Sequence, residues 1–126
     1  MASATDRGFT LIELLVVLAI IATLLSLALP RYFHSVERAR EAVLRQNLAT
    51  LRDALDKYYG DTGQYPNNLQ DLVTRKYLRA IPVDPITESS TTWISIPPDD
   101  PAEGGIRDVR SGAPGNGSDG TPYASW

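Results

Sequence analysis

The chain has 126 residues, 43% of them hydrophobic and 21% charged, with a formal net charge of −3, no Cys and a single His. That length suits one small domain, and the lack of Cys beside a lone His34 excludes disulfide frameworks, thiolate zinc sites, cysteine nucleophiles and His clusters. The mild acidity comes with no basic run and no stacking platform, so the electrostatic footprint of a nucleic-acid binder is missing, and a binding, structural or membrane role remains.

Composition is uneven along the chain. Eight residues, Met1 to Gly8, precede a run from Phe9 to Leu29 that is apolar apart from Thr10, Glu13, Thr23 and Ser26. As a helix this run is about 30 Å long, the thickness of a bilayer's hydrocarbon core, and it predicts a membrane span. Three readings compete for residues 1–29. A cleavable secretory signal has an apolar run of about 7 to 15 residues, shorter than this one. A plain signal anchor fits the length but gives no reason for Glu13, whose burial at mid-helix depth costs about 2.5 to 3.5 kcal/mol on insertion scales. Cleavage between Gly8 and Phe9 supplies a reason, because it leaves a new α-amino group on Phe9, one helical turn from Glu13.

The run Gly8-Phe9-Thr10-Leu11-Ile12-Glu13-Leu14-Leu15-Val16-Val17 resembles the type III signal of type IV pilins and type II secretion pseudopilins. The resemblance implies that a membrane prepilin peptidase cuts between Gly8 and Phe9 and methylates Phe9, and that Glu13 is the glutamate at the fifth mature position. Residues 1–8 are then a leader peptide and residues 9–29 a transmembrane and filament-core helix. When apolar helices stack in a filament, the amino group of one Phe9 needs a counter-charge in a low-dielectric place, and Glu13 of a neighbour can give it. The competing reading has Glu13 snorkelling to the interface near its helix start. Positive-inside counting finds only Arg7 before the span and Arg31, Arg38, Arg40 and Arg45 after it, which alone would put the globular part in the cytoplasm. The processing motif overrules it, since the peptidase acts at the cytoplasmic face and residues 30–126 must then be periplasmic.

Beyond the span the helix is expected to continue over residues 31–59. Pro30 cannot donate to the carbonyl of Ser26, so it should kink or locally melt the helix. Val36, Val43 or Leu44, Leu48, Leu51, Leu55 and Tyr58 then draw one stripe facing the core, while Glu41 with Arg45 and Asp53 with Lys57 are spaced as ion pairs on the wet face. Gly60 is a natural stop. A loop and a short helix near Leu69 to Tyr77, with Leu69, Leu72, Val73 and Tyr77 inward, fill residues 60–80. The β-region and C-terminal loop, residues 81–126, hold strand candidates at Thr91 to Ile96 and Ile106 to Ser111. The segments Tyr58 to Pro66 and Ile81-Pro82-Val83-Asp84-Pro85 also resemble pseudopilins.

The Gly-rich tail from Ser111 to Trp126 matches G-x-G-x-x-G at Gly115, Gly117 and Gly120, but no strand-to-helix context follows and a dinucleotide site is rejected. Major pseudopilins hold the comparable loop with Ca2+, which takes six to eight oxygens. The resemblance therefore implies Asp119 as a calcium ligand and Asp108 as a weaker one, although the loop departs from the family's more acidic pattern. The alternative is that Tyr123 and Trp126 pin the tail by burying their rings while Asp119-Gly120 makes a turn. No catalytic set is visible: Asp53, Asp56, Asp99 and Asp100 read as solvated, and His34 lies just outside the span.

The expectation is an α+β, pilin-like fold: a long N-terminal helix with a short helix and a small antiparallel sheet on its second half. The implied role is a non-enzymatic, structural subunit of a periplasmic pseudopilus, anchored in inner-membrane lipid before it polymerises with itself and minor pseudopilins. The prepilin peptidase, an assembly platform and its ATPase are the other implied partners, and export through an outer-membrane secretin is the outcome. Two alternatives stand beside it. One is a pilin or minor pilin of a type IV pilus, disfavoured because many such pilins close their C-terminal region with a disulfide; the other is a signal-anchored binding module that never polymerises.

Overall fold

The computed structural model describes residues 8–126, so the expected leader, apart from Gly8, lies outside the described residues. The chain divides into two compact units, one ending at Val36 and one running from Glu37 to Trp126. Helix α1, Leu11–Thr62, contributes to both.

In the first unit, α1 is long and apolar enough to cross a membrane, with a window of mean hydropathy 2.7 whose residues are all unburied. Leu11, Ile12, Leu24 and Leu27 present their side chains outward. Thr23 and Ser26, two of the polar residues that interrupt the run, donate their hydroxyls at 2.8 Å to the carbonyls of Ala19 and Ala22. In hydrocarbon this satisfies both donors within the helix. The residues around Pro30 are helical on both sides of it.

The second unit is built on one stripe of α1. Leu44, Leu48, Leu51, Leu55 and Tyr58 are buried, with Ala54 beside them. Val43 is 48% exposed, so of the two candidates at that turn Leu44 faces the core. The helix passes Gly60 and ends at Thr62, two residues beyond the expected stop. The reason lies in the backbone: Gly63, at φ +72°, donates its N–H to the carbonyl of Tyr59 at 2.8 Å. The left-handed residue that closes a helix is Gly63, and Gly60 is tolerated inside at about 1 kcal/mol.

Helix α2, Leu69–Thr74, starts at Asn68, whose side chain accepts the Asp71 N–H at 2.9 Å. It is shorter than expected because the chain turns left-handed at Lys76, φ 67°, and the N–H groups of Tyr77 and Leu78 both return to the Leu72 carbonyl. Leu72 is fully buried and Leu69 and Tyr77 pack against the same core, whereas Val73 is half-buried outside it. Strands β1, Ile94–Ile96, and β2, Asp108–Arg110, pair antiparallel with Ser95 opposite Val109. Both are shorter than their sequence candidates. The hydroxyls of Thr91 and Thr92 bond to Ser89 and Thr87 instead, drawing the front of the first candidate into a loop. Trp93, Ile106, Val109, Ala113 and Tyr123 complete the core, giving the α+β architecture expected for a pilin-like chain.

Asp84 organises the long connection before β1. It is fully buried and accepts the Ser111 hydroxyl at 2.5 Å and the Ile86 N–H at 2.9 Å, while its own N–H bonds the Ser89 carbonyl. Nearby, the Trp93 indole N–H donates to the Pro82 carbonyl at 2.8 Å. The Pro82-Val83-Asp84-Pro85 segment is thereby tied to the residues that follow β2. Removing the carboxylate leaves buried donors unpaired, at about 1–3 kcal/mol each. Asp84→Ala is therefore expected to destabilise the full chain in detergent by about 2–4 kcal/mol in chemical denaturation, and Asp84→Asn, which keeps an acceptor, by clearly less.

Candidate functional site

The N-terminal candidates lie in the first unit. Gly8 and Phe9 precede α1, and Phe9 is 76% exposed. A Cβ placed on Gly8 would meet no atom within 4 Å. Glu13 sits in the first turn of α1, where the Thr10 hydroxyl accepts the Glu13 N–H at 3.1 Å and the Glu13 carboxylate accepts the Thr10 N–H at 3.4 Å. This reciprocal pair is a capping box, and it fixes where the helix begins. Reading Glu13 for its charge alone missed the partner, although Thr10-Leu11-Ile12-Glu13 carries the S/T-x-x-E signature.

The second site is the C-terminal loop on α1. Glu41 is buried at 6% exposure and does not form the expected wet-face pair with Arg45. Its carboxylate accepts the Ser118 N–H at 2.7 Å, the Ser118 hydroxyl at 2.6 Å and the Tyr123 hydroxyl at 3.3 Å. The physical reason is position: Glu41 precedes Leu44 and Leu48 by three and seven residues and so belongs to the buried stripe. That spacing was the available signal. Asp53 and Lys57 do pair, at 3.0 Å.

Arg45 turns to the loop. Its guanidinium lies 3.3 Å from Asp119 and 3.9 Å from the centre of the Trp126 ring. Two turns on, Arg52 donates to Asp108 at 2.9 Å, to the Val109 carbonyl at 3.0 Å and to the Trp126 main-chain oxygen at 2.6 Å. Tyr123 is buried, its ring edge-on to Trp126 with centroids 5.0 Å apart. Asp119 begins a turn in which its own carboxylate accepts the Thr121 N–H at 3.0 Å and hydroxyl at 2.6 Å. Gly120, at φ +83°, returns its N–H to the Gly117 carbonyl.

The two expected calcium ligands are thus engaged by different arginines. Among the described residues no group of three or more His, Cys, Asp or Glu side chains is placed to hold a metal ion. Two carbonyls flanking Asp119, those of Gly117 and Thr121, already accept N–H groups of the loop itself. One carboxylate shared with a guanidinium and a threonine is a poor donor set for an ion that takes six to eight oxygens.

The Ser118 hydroxyl, with the Ser118 N–H and Tyr123, holds the Glu41 carboxyl below its ordinary value of 4.5, against burial and Asp119, which raise it. A carboxyl depressed in the folded state stabilises above its unfolded pKa and loses that contribution as pH falls through the folded value. The melting temperature of the full chain in detergent should therefore hold down to about pH 5 and drop below it. Glu41→Gln should remove part of that drop and lower stability at neutral pH.

Residues 4–29 match the prokaryotic N-terminal methylation motif, and this match includes Gly8, Phe9, Thr10 and Glu13. The chain is 32% identical to the type II secretion system core protein G of Escherichia coli strain K12 over 129 residues, covering 88% of this chain and 85% of that protein. It is also 32% identical over 101 residues to the protein of the same name from Klebsiella michiganensis, covering 68% of this chain and 71% of the relative. A fimbrial protein, EcpC of Eikenella corrodens, is 33% identical over 88 residues, 66% of this chain and 58% of that protein. No solved structure matches. An exposed apolar helix opened by a methylation motif, with a small α+β unit after it and these relatives along most of its length, places the chain in the type II secretion system core protein G family, the pseudopilins.

Proposed function

We propose that this pseudopilin is the structural subunit of a periplasmic pseudopilus that polymerises from the inner membrane to drive protein export. The observation that carries this reading is the methylation motif seated on an apolar, outward-facing helix of membrane-spanning length. The bond between Gly8 and Phe9 is the proposed cleavage point and Phe9 the methylated residue. The bond's place ahead of α1, with Phe9 exposed, supports access by a peptidase. Residues 9–29 anchor the subunit in inner-membrane lipid, and residues 30–126 form the periplasmic part.

Glu13 has the chemistry for assembly. Among the described residues its carboxylate has one partner, the Thr10 N–H of the capping box at the long distance of 3.4 Å, a bond that a full positive charge can outcompete. The cleaved Phe9 amine of a neighbouring subunit is that partner, and pairing it inside an apolar filament core sets the axial register. Pro30 removes one helix hydrogen bond, that to the Ser26 carbonyl, and is the place where α1 can loosen as subunits pack. Minor pseudopilins, the prepilin peptidase, the assembly platform with its ATPase and the secretin are the partners this role requires. Nothing in it calls for catalysis by the pseudopilin itself.

Similarity to the fimbrial protein of Eikenella corrodens favours one second reading, a pilin or minor pilin of a type IV pilus. Deleting the gene separates the two. Loss of secreted enzymes with their periplasmic accumulation and unchanged surface pili supports the pseudopilus, and loss of pili with secretion intact supports the second reading.

The Glu13 role has its own test. Leaving a buried charge without its partner costs about 3–5 kcal/mol, so Glu13→Ala should lower filament yield by more than about tenfold. Mass spectrometry should still find its N-terminus at a methylated Phe9. Wild-type filament yield from Glu13→Ala would refute the assembly role, and an intact leader on the wild-type protein would refute the processing site.

A further inference from the structure

The C-terminal loop is bound to α1 by side chains of the helix itself. Glu41, Arg45 and Arg52 follow one another at intervals of four and seven residues and so share one face. Glu41 receives both donors of Ser118 and the hydroxyl of Tyr123. Arg45 lies over the Trp126 ring and beside Asp119, and Arg52 joins Asp108, the Val109 carbonyl and the Trp126 main-chain oxygen. From β2, Arg110 adds a hydrogen bond of 2.7 Å to the Ser125 carbonyl. Among the described residues, every buried polar side-chain atom has a partner.

We infer that this loop is locked without calcium, with the Arg45 guanidinium doing for Asp119 what a bound cation would do. A calcium ion at Asp119 would have to displace Arg45 from one carboxylate oxygen and the Thr121 N–H and hydroxyl from the other. It would then find the Gly117 carbonyl bonded to Gly120, and the Thr121 carbonyl bonded to Gly117. Asp108 is committed elsewhere: one of its carboxylate oxygens, Oδ1, takes both Arg52 and the N–H of Val109 at 2.8 Å, which ties it to the Arg52 contact and not to the Asp119 turn. An ion would also place its two positive charges next to a guanidinium that cannot lose its own.

A monovalent cation on a side chain differs from a bound ion in one consequence. It is covalently part of the chain, so the lock forms on folding and does not respond to the calcium concentration outside the cell. Calcium instead stabilises by an amount that depends on its free concentration relative to its Kd. The indole face adds a second hold on the same guanidinium through its π-electrons, a contact calcium could not make from the carboxylate side.

The test is thermal unfolding of the full chain in detergent micelles, with calcium chloride and with EGTA. Calorimetric titration with calcium chloride and acrylamide quenching of Trp126 in a Trp93→Phe background accompany it. The wild type should melt at the same temperature in both buffers and show no calcium heat. Arg45→Ala should melt lower by about 3–6 °C in both buffers, with Trp126 more accessible to quencher. Arg45→Lys, which keeps a charge but loses the planar face over the indole, should fall between. A melting temperature of the wild type that rises with calcium, or a calcium-binding heat, would overturn the inference. So would an Arg45→Ala variant that melts as the wild type does with Trp126 equally shielded. None of these readouts depends on secretion or filament formation, so they stand apart from the proposed function.

Discussion

The buried stripe of α1 must be covered, and very little regular structure is available to cover it. Leu44, Leu48, Leu51, Leu55 and Tyr58 are buried, yet the sheet beyond them has two strands of three residues and α2 has six. A two-stranded ribbon of that size is at best marginal alone. The loops between the elements therefore have to be held as firmly as the elements, and their main-chain groups cannot rely on ladders. Asp84, Glu41 and Arg52 do this work: each bonds two or more groups of segments distant in sequence or outside its own element at once. Hydrogen bonds to charged groups contribute more than neutral ones, about 1.5–3 kcal/mol each.

The same constraint explains the Gly-rich tail. A segment containing Gly112, Gly115, Gly117 and Gly120 loses much backbone freedom on ordering. Opposing that cost are Tyr123, buried against the core, Trp126 against Tyr123 and Arg45, and the fully buried Ser111, whose hydroxyl reaches Asp84. At Gly105, too, the fold leaves no choice. Its φ is +82°, and a Cβ there would stand 2.8 Å from the carbonyl oxygens of Tyr65 and Pro66, where the loop after α1 meets the approach to β2.

How far the sequence could be read depended on the range of the interaction concerned. The length and apolarity that would let α1 cross a membrane, its capping at Thr10 and Glu13 and the Asp53–Lys57 pair rest on contacts within a turn or on composition alone, and spacing reveals these. Glu41 shows the opposite case. The four-residue spacing to Arg45 suggests a local pair, but Ser118 lies 77 residues away along the chain and supplies two donors that solvent-exposed Arg45 could not match. Asp84 with Ser111, 27 residues apart, and Arg52 with Asp108, 56 apart, are likewise invisible to any local rule.

What the sequence determined by itself is the N-terminal half of the story: the motif around Gly8 to Glu13, the apolar run to Leu29 and the stripe that follows. Each is written in periodicity and hydrophobicity, which act within a few residues or over a whole apolar segment against solvent. Tertiary structure alone decided that Glu41 turns to Ser118 and Tyr123 rather than to Arg45. It also decided that Asp119 and Asp108 go to separate arginines. Those outcomes depend on which polar groups meet when distant segments cover one helix face. A buried carboxylate or guanidinium takes whatever partners that packing brings to it, since leaving it unpaired costs more than any local preference is worth.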